Sequence, residues 1–205
     1  MSVAYTQKNT GSVRQTPDRS IAPARIAECI PHGRTLVTFR NPLPLEADGD
    51  CMSLLRLPLA VYRELRAHGE EAFPRESCGA LLGRMIADGW QIDSLVRAAN
   101  TRAGSRHDRY EIAPAELVKI AREARSRGLE IAGFYHSHPG HPARWSATDL
   151  EEAHWLGCVY VITEVVQDNA KDTNAFLLAG TTEEDKHFVP QTIEIDAASP
   201  DRDPA

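Results

Sequence analysis

The sequence predicts a mixed α/β or α+β domain, and three observations carry that prediction. Strand-like and helix-like stretches are interleaved without strict βαβ alternation, which disfavours an all-α fold. One stretch, "IAPAELVKIAREARSRG", has the apolar spacing of an amphipathic helix. Short apolar runs such as "CVYVITEVV" have the length and β-branched content of buried strands.

Along the chain, the spacing of Leu59, Tyr62, Leu65 and Ala72 predicts a helix from Pro58 that ends near Gly69 or shortly beyond. "CGALLGRMI" and "GWQIDSLVRAAN" follow as two strands joined around Asp88-Gly89, a hairpin signal. Asn100 to Arg109 reads as a polar loop. In the clearest helix Pro114 suits the first turn, Leu117, Ile120, Ala121 and Ala124 form one stripe, and Gly128 ends it. "EIAGFYHSH" is then a strand, "SATDLEEAHWLG" a short helix, and "CVYVITEVV", "NAFLLAG" and "HFVPQTIEI" are strands.

With 205 residues, 42% of them apolar and 25% charged, the chain suits one domain with a core plus some excess length. Residues 1–50, rich in Ser, Thr, Pro, Gly and Arg, read as a mostly disordered N-terminal extension with one strand-like run, "RTLVTFR". Their poor helical amphipathicity speaks against a targeting peptide, and Met52 is an alternative start, since "MSLLRLPLAVY" opens as a domain would. The domain itself is expected over residues 53–197, with 198–205 a disordered tail. Residues 1–40 carry six Lys/Arg against Asp18 and Glu28, so with a net charge of −6 overall the remaining 165 residues are near −10. Nucleic acid is an unsuitable partner for that acidic body. No run approaches the roughly 20 apolar residues that span a bilayer, and no secretory signal is evident, so no membrane partner and a cytoplasmic location are expected. Cys29, Cys51, Cys78 and Cys158 are widely spaced without a CxxC pair, which fits reduced thiols.

The chemistry concentrates in "YHSHPGHPARWSATD", residues 135–149. Side chains at i and i+2 of a strand share a face, so His136 and His138 can present two imidazoles to one ion while Ser137 faces away. Pro139 stops the strand just past them. A catalytic zinc commonly takes three protein ligands, and Asp149 on the next helix is the best third candidate. Ser146 followed by Asp149 reads equally as a helix N-terminus, with Ser146 at the N-cap and the acid favouring the first-turn dipole. His141, His154, His107, His68, His32 and His187 are assigned to surface or packing. A second stretch, "FPRESCGALLG", sets Glu76 just before a strand of small residues, where a carboxylate could serve as general base and acid. Its plainer reading is an ordinary exposed Glu.

Taken together, Glu76, His136-Ser137-His138-Pro139, seven residues to Ser146 and two more to Asp149 resemble the JAMM (MPN+) zinc metalloproteases. The flanks "PRESCGALLG", "NTRAGSRHDRYEIAPAEL" and "IAGFYHSHP" are similar to the compact prokaryotic branch, and the likeness covers roughly residues 53–197. It implies a JAMM/MPN fold, a mixed β-sheet flanked by helices with a cytidine-deaminase-like architecture. It also implies one Zn²⁺ held by His136, His138 and Asp149, Glu76 as general base and acid, and Ser146 as a partner of the tetrahedral oxyanion. The implied reaction is hydrolysis of a peptide or isopeptide bond at the C-terminal tail of a ubiquitin-like or sulfur-carrier protein. Such a tail is expected to add as a strand along an open sheet edge, walled by Asn100–Arg109 and Gly140–Trp145.

Three other readings compete. Two His and one carboxylate also describe a non-haem iron oxygenase site. Cys78 with His136 could form a cysteine hydrolase, although Cys78 beside Gly79 fits a small buried residue better. A non-catalytic MPN-type binding module would need neither Glu76 nor Ser146. Oligomeric state is not encoded in any of these features.

Overall fold

In the computed structural model, which describes residues 54–102 and 109–196, a short strand β1 (Leu54–Pro58) leads directly into helix α1 (Leu59–Ala72). There follow β2 (Cys78–Ile86), β3 (Gly89–Ala98), α2 (Pro114–Ser126), β4 (Glu130–Pro139), α3 (Ala147–Glu152), β5 (Val159–Val166), β6 (Asn169–Ala179) and β7 (His187–Asp196). The N-terminal extension with its "RTLVTFR" run, the C-terminal tail and the centre of the Asn100–Arg109 loop lie outside the described residues.

The strands run in the order β1-β3-β2-β4-β5-β6-β7 and close into a barrel, because β1 pairs in parallel with both β3 and β7. The sheet is mixed and flanked by helices, as the family likeness implies. The strand β1 is itself absent from the sequence reading: its alternation, with Leu55 and Leu57 fully buried and Arg56 turned to Asp88 and Glu194, spans too few residues to stand out. On β3 the pairing with β1 covers only Gly89–Gln91, so among the described residues Ile92–Ala98 has no strand neighbour on that side.

Helix α1 contacts β1, β3, β4, β5, β6 and β7. Its Val61 and Leu65 join Leu55, Leu57, Trp90, Tyr135 and Val161 in one buried cluster, each such aliphatic side chain being worth about 1.5–3 kcal/mol. The buried stripe is Val61, Leu65 and Gly69 rather than one through Leu59 and Tyr62. Gly69 lies in the last turns of the helix, which ends shortly beyond it at Ala72, as the spacing predicts. A Cβ there would stand 3.0 Å from Val165 Cγ2 and 3.3 Å from Ser137 Cβ, so glycine lets α1 press against β4 and β5. Arg66 donates to the carbonyls of Lys171 and Ala170, and Glu70 accepts from Ala170 N–H, so α1 also satisfies exposed backbone of β6.

On the other face α2 packs against β2 and β4. Ile120, Ala121 and Ala124 are buried, Pro114 is in its first turn, and Gly128 at φ +65° follows its end, as the spacing predicts. The β2–β3 connection is Ala87-Asp88, and Gly89 is already paired with Ile86. Glycine is needed there for close approach, since a Cβ would lie 1.8 Å from the Leu54 carbonyl oxygen. The β5–β6 turn, Gln167-Asp168, has both residues at positive φ, the geometry of a two-residue hairpin. It starts β6 five residues before the "NAFLLAG" expected from sequence.

Helix α3 is shorter than "SATDLEEAHWLG" suggests. None of its residues is buried, and the chain turns extended at Ala153. Trp155 is drawn away to stack edge-on against Phe134, with ring centroids 5.4 Å apart.

Candidate metal centre

The two histidines come from the end of β4, on the face shared with Phe134, and both are buried. Their Nε2 atoms face each other at 3.0 Å. Asp149, in the first turn of α3, sets Oδ1 3.2 Å from His136 Nε2 and Oδ2 3.6 Å from His138 Nε2. Tetrahedral zinc with bonds of about 2.0–2.2 Å spaces its ligand atoms roughly 3.3 Å apart, so these three donors fit around one ion. Among the described residues this is the group of three able to hold a metal. The expected alternation therefore brings His136, His138 and Asp149 together. His141 is exposed and stands outside the group.

Hydrogen bonds orient the donors. His138 Nδ1 meets the Pro142 carbonyl at 3.1 Å; as the donor there, Nδ1–H leaves the Nε2 lone pair free. The segment that offers this carbonyl is tied down by Gly140 N–H on Val165 O and by Asn174 Nδ2 on Ala143 O. His136 Nδ1 is buried without a hydrogen-bond partner, and its ring stacks on Tyr110, centroids 4.7 Å apart and planes 26° apart. Burial lowers the His136 pKa, with Asp149 opposing, which favours the neutral imidazole a metal requires. For Asp149 burial works against ionisation, yet its hydrogen bonds with His136 and His138 hold the carboxyl well below the usual range. At His138 burial is outweighed by Asp149, and the pKa rises; Glu76 adds to the rise.

Ser146 and Asp149 also form a complete capping box. Ser146 N–H and Oγ–H donate to Asp149 Oδ2, both at 2.6 Å, and Asp149 N–H donates back to Ser146 Oγ at 3.2 Å. Helix cap and metal-ligand geometry thus coexist in the same two residues: one oxygen of Asp149 caps while the other turns to His136.

Glu76 is buried rather than exposed, at 4% of its free surface. Cys78 pairs with His136 across β2 and β4, and continuing that register sets Glu76 opposite His138. A pair of serines locks this arrangement: Ser77 N–H and Oγ–H both donate to Ser137 Oγ, at 2.9 and 3.1 Å, while Ser137 N–H donates to the Ser77 carbonyl. Ser137 faces away from the histidines, as alternation requires. Asn100 Nδ2 donates to the carbonyls of Glu76 and Arg109, and its Oδ1 accepts from Arg102 and Glu111 N–H, tying Glu76 to both stems of the polar loop. Burial pushes the Cys78 thiol up to about 12, so it is no nucleophile at neutral pH. That removes the cysteine-hydrolase reading.

Sequence reasoning missed Tyr110, Ser77 and Asn100. Tyr110 is a lone aromatic at the end of a polar loop, the one local signal it offers. The two others act through partners 24 to 60 residues away.

The curled sheet and this three-donor centre define a domain of the JAB/MPN class. A family model described as prokaryotic homologs of the JAB domain matches residues 58–179, more than half of the sequence, and the chain belongs to that family. Over 89 residues it is 40% identical to a protein named Desampylase from Haloferax volcanii, an alignment covering 43% of this chain and 62% of the relative. Over 102 residues it is 30% identical to a probable TtuB-protein conjugate cleaving protease from Thermus thermophilus, covering 50% of this chain and 65% of that one. The chain thus spans somewhat less than two thirds of the length of these curated relatives. Two solution structures are similar: a protein from Salinibacter ruber, 37% identical, TM-score 0.53, covering 71% of this chain and 92% of that one, and a protein from Desulfitobacterium hafniense, 25% identical, TM-score 0.60, covering 70% and 92%. This membership leaves the iron-oxygenase reading without support. Among the described residues no helix is long and apolar enough to cross a membrane.

Proposed function

We propose that this protein is a JAMM-type zinc metallopeptidase that hydrolyses the bond joining the C-terminal tail of a ubiquitin-like or sulfur-carrier protein to its adduct. The observation that carries this reading is the convergence of His136, His138 and Asp149 beside a buried Glu76, two residues before the neighbouring strand β2. One relative's name describes cleavage of protein conjugates, which favours an isopeptide bond. Residues 53–197 form the catalytic domain, and the cytoplasm is its place of action, in keeping with the free thiols of Cys78 and Cys158.

Zinc held by the two imidazoles and the carboxylate supplies Lewis acidity. The protein groups do the rest. Glu76 accepts a proton from the attacking water and delivers it to the leaving nitrogen. Ser146 is exposed, so its hydroxyl can turn from Asp149 to the oxyanion that develops on the scissile carbonyl. Tyr110 holds the His136 ring in plane, and the Ser77–Ser137 lock fixes the height of Glu76 against the histidines. No covalent intermediate is required.

The test is incubation of zinc-loaded protein, and of a Glu76→Gln variant, with purified ubiquitin-like conjugates, read by intact mass. The wild type should release the ubiquitin-like protein with a free C-terminal carboxylate while Glu76→Gln stays silent. Equal cleavage by both would overturn the role of Glu76, and none by either would overturn the reaction.

A further inference from the structure

Asp149 rides on a short helix with little apolar support. Helix α3 has six residues and none of them is buried; Leu150 alone packs partly against the core. Its place must therefore be set by polar contacts. At its N-terminus the capping box supplies them, but Ser146 adjoins the helix and does not tie it to the rest of the fold. At its C-terminus the contacts come from elsewhere in the fold: Arg102 pairs with the Glu152 carboxylate at 2.9 Å, and Lys186 Nζ, with its side chain only 9% exposed, donates to the backbone itself, to the carbonyls of Glu151 and Ala153 at 2.9 and 2.8 Å. These are terminal carbonyls with no partner inside the helix, where a cation also meets the negative end of the dipole.

The connection that brings Lys186 there, residues 180–186 between β6 and β7, is itself built rigidly. Asp185 accepts from the backbone N–H and hydroxyl of both Thr181 and Thr182, at 2.7 to 3.2 Å. Gly180, at φ +122°, allows the turn, since a Cβ would come within 2.8 Å of Lys186 Cα. Glu183 completes the grip, accepting from Lys186 Nζ at 2.7 Å and facing His154 Nδ1, just beyond the helix, at 3.2 Å.

We infer that Lys186 is a positioning residue for the metal centre: from the β6–β7 connection it fixes the C-terminal end of α3 and thereby the placement of Asp149 against His136 and His138. The inference rests on Asp149 being a metal ligand. It concerns a residue some 37 positions away in sequence that touches neither metal nor substrate.

The test measures zinc affinity by chelator competition, the visible spectrum of the Co²⁺-loaded protein, and the thermal midpoint of the metal-free protein. Lys186→Met should bind zinc about 10- to 100-fold more weakly, the range for groups that orient ligands, with an altered Co²⁺ spectrum and a metal-free midpoint close to wild type. Lys186→Arg, which keeps a cationic donor, should recover most of the affinity, and Glu183→Gln should lose only a few-fold. Wild-type affinity in Lys186→Met would overturn the inference. So would an equal loss in Lys186→Arg, or a Lys186→Met chain that no longer folds, because the lysine would then serve the fold at large. Wild-type protein that takes up no zinc would instead defeat the proposed function itself, so the two failures are distinguishable.

Discussion

The two halves of the candidate metal centre are built on opposite principles. His136 and His138 stand on a strand paired on both sides, β2 at one edge and β5 at the other, with backbone and side chain buried. Asp149 stands on a six-residue helix without a buried residue, held by a cap, a lysine and the Arg102–Glu152 ion pair at 2.9 Å. The strand half is fixed by the same packing that folds the domain, so both imidazoles are aimed by contacts the fold already makes. The helix half depends instead on a few polar contacts at the two ends of α3, which makes Asp149 and Ser146 the part of the site most open to single substitutions.

That contrast can be broken in graded steps. Replacing a strand ligand, His138→Ala, should lower zinc affinity by well over the roughly 100-fold that outer-shell changes reach, measured by chelator competition, with the fold intact by circular dichroism. Glu76→Gln should leave zinc content unchanged and lower kcat about 10²- to 10⁴-fold, which separates the proton-transfer group from the ligands. Ser146→Ala acts on the helix half twice over. Loss of the cap should cost α3 about 0.5–2 kcal/mol, and loss of the hydroxyl should lower kcat about 10²-fold or more if it meets the oxyanion. Steady-state kinetics at saturating zinc would isolate the second effect.

Smaller effects sharpen the strand half. Ser137→Ala strips the acceptor from Ser77 N–H and Oγ–H, both buried, and should cost about 1–3 kcal/mol in urea unfolding. Because Ser77 adjoins Glu76, its kcat should fall while zinc affinity holds. Tyr110→Leu removes the ring stacked on His136 and should cost about 0.5–1.5 kcal/mol, visible as a modest loss of zinc affinity. Tyr110→Phe, which keeps the ring, should behave as wild type in the same titration.

The strand half was the more legible in sequence, and for a physical reason. Alternation at period two states which side chains share a face, so His136 and His138 separate from Ser137 without knowledge of any partner. Asp149 is ambiguous locally because a helix cap and a ligand would use the same residue at the same position, and in the structure its carboxylate caps α3 while lying within 3.6 Å of both imidazoles. Glu76 reads from its local sequence either as a general base or as an ordinary exposed Glu, and the family likeness favours the first; nothing in "FPRES" says that it will be buried opposite His138. The strand β1 was lost because its register depends on β3 and β7, which lie 35 and more than 130 residues further along the chain. Lys186 and Asn100 were lost in the same way, since each satisfies backbone groups distant in sequence and leaves no periodic trace.

The most direct test of the account is Asp149→Asn. The amide keeps the shape of the side chain and an oxygen for Ser146 N–H, so α3 can still be capped, while the charge facing the two imidazoles is removed. The account predicts a metal-free protein of nearly wild-type thermal midpoint whose zinc affinity falls more than about 100-fold, beyond the outer-shell range. Wild-type zinc affinity in Asp149→Asn would contradict it, because Asp149 would then be a helix cap and nothing more.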